Sequence, residues 1–463
     1  MSALDAKILA ARAVGELARR AGRGGGTSLP GKVLTTLEPR AIDLLAGRLR
    51  GGTAVISATN GKTTTAAMAA SVLERSGIAL VHNRAGANMA GGIASTLLGA
   101  ARRRDGIDGE LGLFEVDEFW LDGVAPRLHP RAMLLGNLFR DQLDRYGELE
   151  TIADRWAALV QSLPQTRLAL NADDPLIADL GRDRPGVSYF GVEDDAMATP
   201  EMQHASDSKH CRHCGAAYTY EAIYLGHLGR YHCPSCGRRR PEPAISAERI
   251  ELMGTRGARF VLCSPAGSAT VTLPLPGLYN VYNALGAATL CLELGVSLEH
   301  TVAGLEAVSA AFGRGERLEL AGQELAILLI KNPAGANEIL RTLALEPGEL
   351  DLLGILNDRT ADGKDVSWIW DADFELMAGR ARRVTCAGTR AAELALRLKY
   401  AGVPVDRLHV VPSLPAALDE ALASATGAVV YALPTYTALL ELREELSRRG
   451  HLGRFWAREE QPA

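Results

Sequence analysis

The sequence predicts an α/β protein with two parallel-sheet domains and a small metal-binding insertion. Three observations carry this reading. A strand–turn–helix junction suited to phosphate lies at residues 54–68, two C-x-x-C pairs lie within residues 211–236, and apolar strands alternate with helical stretches after Arg314. At 463 residues the chain is too long for a single core and suggests two or three domains. Its 47% hydrophobic and 23% charged residues are ordinary for a globular protein, and a formal net charge of -5 gives no footing for a general nucleic-acid binder. No apolar run reaches the ~18 residues that would signal a membrane span. The N-terminal "MSALDAKILAARAVGELARRAG" has amphipathic helical spacing and lacks the apolar core of a secretory signal, while Asp5 and Glu16 argue against a mitochondrial transit peptide. A cytoplasmic location is expected. The seven cysteines, four of them in C-x-x-C pairs, fit that reducing compartment better than a disulfide scaffold.

In "AVISATNGKTTTAAM", residues 54–68, a short apolar strand runs through a glycine-lysine-threonine turn into an alanine-rich helix. Backbone N–H groups at such a helix start, with the helix dipole behind them, attract phosphate oxygens. Gly61 allows close approach, Lys62 reaches the outer phosphates, and Thr63 can ligate magnesium. Thr59, Asn60 and Thr64 complete the expected nucleotide-binding turn. Ile56 occupies the first glycine position of the strict G-x-x-x-x-G-K-[ST] pattern, so the strict motif fails. A junction with no ligand is the competing reading, but the run Thr63, Thr64, Thr65 is a poor helix start without a task. The apolar run "GELGLFEVDEFWLD", residues 109–122, supplies a second buried strand ending in acids. Glu115, Asp117 and Glu118 stand where a neighbouring strand would deliver a carboxylate to the nucleotide's magnesium, with Glu115 the expected ligand.

Cys211, Cys214, Cys233 and Cys236 have the C-x2-C-x18-C-x2-C spacing of a zinc ribbon. Four thiolates from two tight knuckles close a tetrahedral zinc site with no open position, which makes a structural role the expectation. The lone Cys263, Cys291 and Cys386 lie in apolar or sheet-like contexts and read as core residues.

The motifs together resemble those of the Mur ligases, ATP-dependent enzymes that form amide bonds through an acyl-phosphate. "ATNGKTT" is similar to the family's phosphate turn, with Ala58 for its first glycine. "LGNLFRDQLDRYGELE" (135–150), "LALNADDPL" (168–176), "LPGLYNVYNALGAA" (275–288) and "FGRGERLE" (312–319) follow in the family's order. The resemblance implies adenine recognition through Asn280 and Asn283, and an Arg314 that faces nucleotide phosphates. It also implies a P-loop ATPase central domain over residues 51–312 with the ribbon inserted at about 205–243. A C-terminal Rossmann-like domain follows over 313–463, and a short helical and loop segment, residues 1–50, precedes. That segment is too short for the UDP-binding domain of nucleotide-substrate members. Gln142 stands where the family has a magnesium-binding histidine, and no lysine occurs between Lys62 and Lys209 to supply the family's carbamylated lysine.

The short N-terminus, the ribbon, "KNPAG", "NDRTADGKDVSWIWDADFE" and "LPTYTALLELR" resemble one branch of the family, the synthetase subunits of lipid II isoglutaminyl synthase. That resemblance implies amidation of the α-carboxylate of D-glutamate in the lipid II stem peptide at the inner membrane face. ATP and Mg2+ are the implied cofactors, with structural Zn2+, and ammonia would come from a separate GatD-like glutaminase subunit. An aspartate of the C-terminal domain would complete the glutaminase triad, Asp358 first and Asp362 second; sequence does not separate them. Two other readings remain in view. One is a Mur- or folylpolyglutamate-type ligase adding an amino acid, which amino-acid-dependent ADP release without ammonia would favour. The other is a zinc-ribbon nucleic-acid-binding ATPase, which salt-sensitive nucleic-acid binding would favour.

Overall fold

A computed structural model describes residues 3–20, 28–83, 87–102, 106–140, 149–202, 206–308, 314–320, 322–427 and 429–452. Gln142 lies outside the described residues, and so does the side chain of Arg314. The first eleven strands are β1 (Thr53–Ser57), β2 (Leu80–His82), β3 (Leu111–Glu115), β4 (Ala132–Leu135), β5 (Arg167–Asn171), β6 (Val187–Val192), β7 (Thr219–Leu225), β8 (Leu228–His232), β9 (Ile245–Leu252), β10 (Ala258–Ser264) and β11 (Gly267–Leu273). Nine of them form one sheet in the order β11-β10-β9-β6-β5-β4-β1-β3-β2. From β9 through β2 its neighbours run parallel, and β10 and β11 add an antiparallel edge. Strands β1 and β3 are buried on both faces, which is why both read as continuous apolar runs. Their register pairs Ile56 with Glu115, so the acid arrives at the level where β1 gives way to the turn.

The cysteine-rich segment leaves the sheet after β6 and returns to it at β9, with Phe190 paired to Ile245 across the join. The excursion is built around the antiparallel hairpin β7–β8. A second sheet contains β12 (Arg314–Leu320), β13 (Gln323–Leu328), β14 (Leu350–Ile355), β15 (Ala381–Ala387), β16 (Leu408–Val410) and β17 (Val429–Pro434). Its order is β12-β13-β17-β14-β15-β16, parallel except for the β12–β13 pair. Helices cover both faces of both sheets and bury four apolar clusters. This is the doubly wound arrangement that the βα rhythm predicts.

Two helices deserve comment. Helix Leu278–Glu293 is buried almost all round, which explains why most of its residues are small or apolar. Leu29–Leu37 begins inside the stretch "GRGGGTSLPGKV", which the sequence reading takes as loop. Pro30 sits in its first turn, where a missing N–H costs nothing. Gly31 is there because a Cβ would lie 1.9 Å from the Gly91 carbonyl oxygen of the facing helix, Ala90–Ala100. The glycine serves close packing, not a turn.

Helix Leu298–Glu306 packs on helix Lys62–Arg75 through a comparable contact at Gly304, where an added Cβ would lie 2.4 Å from the Val72 Cα. Backbone cannot yield as a side chain can. Gly304→Ala is expected to destabilise the protein by about 2 kcal/mol despite alanine's better helix propensity. A denaturant titration that shows no loss would refute that packing.

Candidate functional site

The phosphate turn occupies Ala58–Gly61, between β1 and helix Lys62–Arg75. Gly61 has φ +85°, and a Cβ there would lie 2.0 Å from the Asn283 Oδ1. Both the backbone conformation and the neighbour therefore demand glycine. Asn137 fixes the turn from β4's end. Its Oδ1 accepts from the Asn60 amide at 2.9 Å, its Nδ2 donates to the Asn60 carbonyl at 3.0 Å, and its own carbonyl accepts from the Thr59 amide at 2.9 Å. The Thr59 hydroxyl in turn accepts from the Phe139 amide at 3.2 Å. Sequence reasoning quoted the segment holding Asn137 but assigned that asparagine no role.

Lys62 is buried under this turn. Its Nζ donates to the carbonyls of Ala58 and Thr59 and lies 2.7 Å from the Glu118 carboxylate. Burial by itself lowers the lysine's pKa, but the carboxylates of Glu118, Asp117 and Glu115 outweigh it, so the ammonium is held above its ordinary value. Burial, and next the adjacent Glu118, push the Asp117 carboxyl up, against the pull of Lys62 and Lys331. Fully buried Trp156 fixes the Glu118 backbone through an Nε1–H bond of 3.0 Å to its carbonyl.

Glu115 meets the turn from β3. Its Oε1 accepts from the Thr63 hydroxyl at 3.2 Å and from Asn88 Nδ2 at 3.3 Å. Asn83 clips the Glu115 backbone on both sides, donating to its carbonyl at 2.8 Å and accepting from its amide at 2.9 Å. Such an oxygen pair, hydroxyl and carboxylate on a rigid strand and helix start, suits a hard divalent cation.

Asn283 lies beneath the turn, where its Oδ1 accepts from the Thr65 hydroxyl at 3.2 Å. Asn280 is 1% exposed, with Nδ2 donating to the Pro276 carbonyl at 2.8 Å and Oδ1 accepting from Asn283 Nδ2 at 3.0 Å. Asn280 thus orients Asn283, which alone of the two lines the cleft.

The second sheet closes that cleft. The start of helix Pro333–Ala344 reaches across so that Asn332 Nδ2 donates to Asn60 Oδ1 at 2.9 Å, while Lys331 Nζ lies 3.4 Å from the Thr59 carbonyl. Asn332 Oδ1 simultaneously caps that helix through the Gly335 amide at 2.8 Å. The resulting cleft, about 790 Å³ including its open mouth, has Asn60, Gly61, Thr64 and Lys331 toward the turn, and Leu225, Leu228, Phe139, Tyr279 and Glu338 elsewhere in its lining.

The two candidate aspartates differ in placement. Asp358 follows β14 at the carboxyl edge of the second sheet and is half-buried; its carboxylate accepts from the Thr389 hydroxyl at 2.8 Å and pairs with Arg390 at 3.2 Å. The Thr389 hydroxyl, joined by the Arg390 guanidinium, holds its carboxyl below the usual range. Asp362 is buried and caps helix Tyr436–Arg448, accepting from the Thr437 amide at 2.7 Å and from the Thr437 hydroxyl.

The ribbon cysteines converge. The four Sγ atoms lie within 4.8 Å of one another, with Cys211 and Cys236 at 3.6 Å and Cys214 and Cys233 at 3.4 Å. A tetrahedral site with metal–sulfur bonds of ~2.3 Å has edges of about 3.8 Å, so the cluster fits a zinc-sized ion. Gly215 and Gly237, both at φ +74°, form matching knuckles in which each glycine amide bonds the carbonyl of Cys211 or Cys233.

Removing one member of the buried Lys62–Glu118 pair leaves the other charge without compensation. Glu118→Gln is expected to cost on the order of 3 kcal/mol of stability in chemical denaturation. Unchanged stability would mean that Asp117 and Glu115 suffice for Lys62.

Comparison with known proteins agrees with this geometry. The Mur ligase middle domain matches residues 56–233, and the MurT ligase C-terminal domain matches residues 329–439. The fold is shared with a pseudomurein peptide ligase type C from Methanothermus fervidus, at a TM-score of 0.64 and 23% identity over 86% of this chain and 79% of that one. It is shared too with MurF ligase from Thermotoga maritima in complex with ADP, at 0.60 and 14% identity over 91% and 85%. Subunit MurT of lipid II isoglutaminyl synthase (glutamine-hydrolyzing) is 32% identical in Streptococcus pneumoniae, over 96% of this chain and 96% of the relative. The Staphylococcus aureus subunit is also 32% identical, over 94% and 96%. A likeness that runs through both sheets and the ribbon, at that identity and coverage, means that the chain belongs to the MurT family of Mur-ligase-like subunits.

Proposed function

We propose that this chain is the ATP-using synthetase subunit of a glutamine-dependent amidotransferase that converts the α-carboxylate of D-glutamate in the lipid II stem peptide to D-isoglutamine. One observation carries the reading: Lys62, Thr63 and Glu115 from the first sheet meet Lys331 and Asn332 from the second around a single glycine turn. Residues 51–312 then form the ATP domain, with the ribbon at about 205–243, and residues 313–463 form the domain that closes over it.

A carboxylate is a poor electrophile because its leaving group would be an oxide. In the proposed first step a carboxylate oxygen attacks the terminal phosphorus of ATP and ADP leaves. Ammonia then attacks the acyl carbon, phosphate departs, and the nitrogen sheds a proton. The Gly61 amide and the helix start at Lys62, Thr63 and Thr64 would bind the phosphates, whereas the Thr59 and Asn60 amides, expected in the same role, are committed to Asn137. Lys62 is already an ammonium, so it can meet developing phosphoryl charge without a proton transfer. Thr63 and Glu115 would hold a magnesium ion, which would neutralise phosphate charge. Asn283, oriented by Asn280, would read the adenine edge, and Arg314 would face the phosphates.

Ammonia is proposed to come from a GatD-like glutaminase subunit. Asp358 suits the triad role better than Asp362, because a half-buried, ionised carboxylate at a sheet edge can meet a partner's histidine and hold its tautomer, whereas Asp362 is committed to a helix start. The four thiolates are proposed to hold one structural zinc. Among the described residues no helix is long and apolar enough to cross a membrane. The proposed reaction would place the chain in the cytoplasm, where ATP is available, meeting its lipid-linked substrate at the inner membrane face.

Product assays with lipid II, ATP and either nitrogen source separate these roles. Lys62→Met should lose at least about a hundredfold in rate with glutamine plus glutaminase and with ammonium alike. Asp358→Asn should lose the glutamine-driven rate and keep the ammonium-driven one; equal loss of both would remove Asp358 from the triad. Elemental analysis of purified protein should give one zinc per chain, and Cys214→Ser together with Cys236→Ser should abolish it. Retention of zinc in that double variant would place the ion elsewhere.

A further inference from the structure

Between the two cysteine knuckles, hairpin β7–β8 runs from its Thr219–His232 pair to a tip at Leu225-Gly226-His227-Leu228. The tip is not peripheral. Leu225 and Leu228 line the same cleft as Gly61 and Asn283, beside Phe139 and Tyr279. Several contacts seat it there. His227 is fully buried, its ring centroid 4.6 Å from that of Phe139 and its Nε2 3.4 Å from the Asp174 carboxylate. The Gly229 amide donates to the Asp173 carbonyl at 3.0 Å, and the Tyr220 hydroxyl donates to the His227 carbonyl at 2.9 Å. Gly226 has φ +59°, and a Cβ there would lie 2.9 Å from Phe139 Cε1, so the tip also needs its glycine.

The cleft has Asn60, Gly61, Thr64 and Lys331 at the phosphate turn, and the rest of its lining is mainly apolar and aromatic, with Glu338 the one further charged side chain. A nucleotide is anionic at one end and a flat, weakly solvated ring at the other. With its phosphates on the turn, its base must lie along the apolar and aromatic part of the lining, where Leu225, Leu228, Phe139 and Tyr279 stand. A two-stranded hairpin is marginal in water by itself. Here its open end carries the four-cysteine cluster, which a bound metal would tie together.

We infer that Leu225 and Leu228, carried by the cysteine-clamped hairpin, form a wall of the base subsite, so that metal in the knuckles sets the affinity for the base and leaves that for the phosphates alone. This rests on the ATP reading given above. The ribbon is then a positioning device for nucleotide binding as well as a staple of the fold.

The test is calorimetric titration of the zinc-loaded full-length chain with a non-hydrolysable ATP analogue and, separately, with inorganic tripolyphosphate, both with magnesium. Leu228→Ala and Leu225→Ala should each weaken the analogue by roughly tenfold and change tripolyphosphate by less than about twofold. Removing zinc with a chelator should produce the same split, reversed when zinc is restored. Leucine variants that bind the analogue as the parent does, or that lose both ligands equally, overturn the inference. A parent chain that binds tripolyphosphate and analogue equally well overturns it too, and one that binds neither overturns the ATP reading itself. Should chelation precipitate the chain, the leucine variants decide.

Discussion

The organisation of the site depends on one buried cation. Lys62 has been taken out of water beneath a backbone turn, and it stays charged only because carboxylates at the end of a neighbouring strand surround it. That requirement reaches far into the fold. β3 must lie next to β1 in a register that brings Glu115 level with the turn. Trp156 must hold the Glu118 backbone, and Asn83 must hold that of Glu115. Each of these neighbours is buried, and together with the Asn137 bonds to Thr59 and Asn60 they hold the turn in place.

The second constraint is that the turn is shared between two sheets. Asn332 bonds Asn60 with one side-chain atom and caps its own helix with the other. A single asparagine therefore couples the start of a helix on one sheet to the phosphate turn on the other. Glu346 adds a fixed contact at the far side, accepting from the Thr255 amide and hydroxyl at 2.6 and 2.8 Å. The two contacts hold helix Pro333–Ala344 to the first domain at its start and just past its end.

Some of this was legible in the sequence and some was not. Gly61, Lys62 and Thr63 could be read because a phosphate turn is local: its residues are consecutive and its chemistry fixes their types. The four cysteines could be read for the same reason, since two short knuckles need only local spacing. Glu115 could be placed from an apolar run ending in acids, but the pairing of Glu118 with Lys62 could not, because it depends on how the chain turns after the last residue of β3. Asn137 and Asn83 were missed since asparagine in a loop has too many possible uses. Lys331 and Asn332 come from 272 residues along the chain, and only the packing of two sheets brings them to Asn60 and Thr59. Helix Leu29–Leu37 was hidden in part because Gly31, which serves close packing, reads as a loop residue. Asp358 and Asp362 share one loop in sequence, and only the capping of helix Tyr436–Arg448 tells them apart.

The charges at the turn do not balance among themselves, which bears on the cation that the proposed reaction would use. Glu115, Asp117 and Glu118 bring three carboxylates, and Lys62 and Lys331 bring two ammoniums. With all five ionised, the pocket is negative by one charge before any substrate enters. The proposed reaction would add the phosphates of ATP and then a substrate carboxylate, so repulsion would rise at each binding event. Protonation of Asp117, which burial and Glu118 favour, removes one charge at most. Thr63 and Glu115, a hydroxyl and a carboxylate 3.2 Å apart, are the residues that would hold a divalent ion to make up the difference. The acids that hold Lys62 charged thus create the deficit that such an ion would correct, and both demands fall on the same strand end.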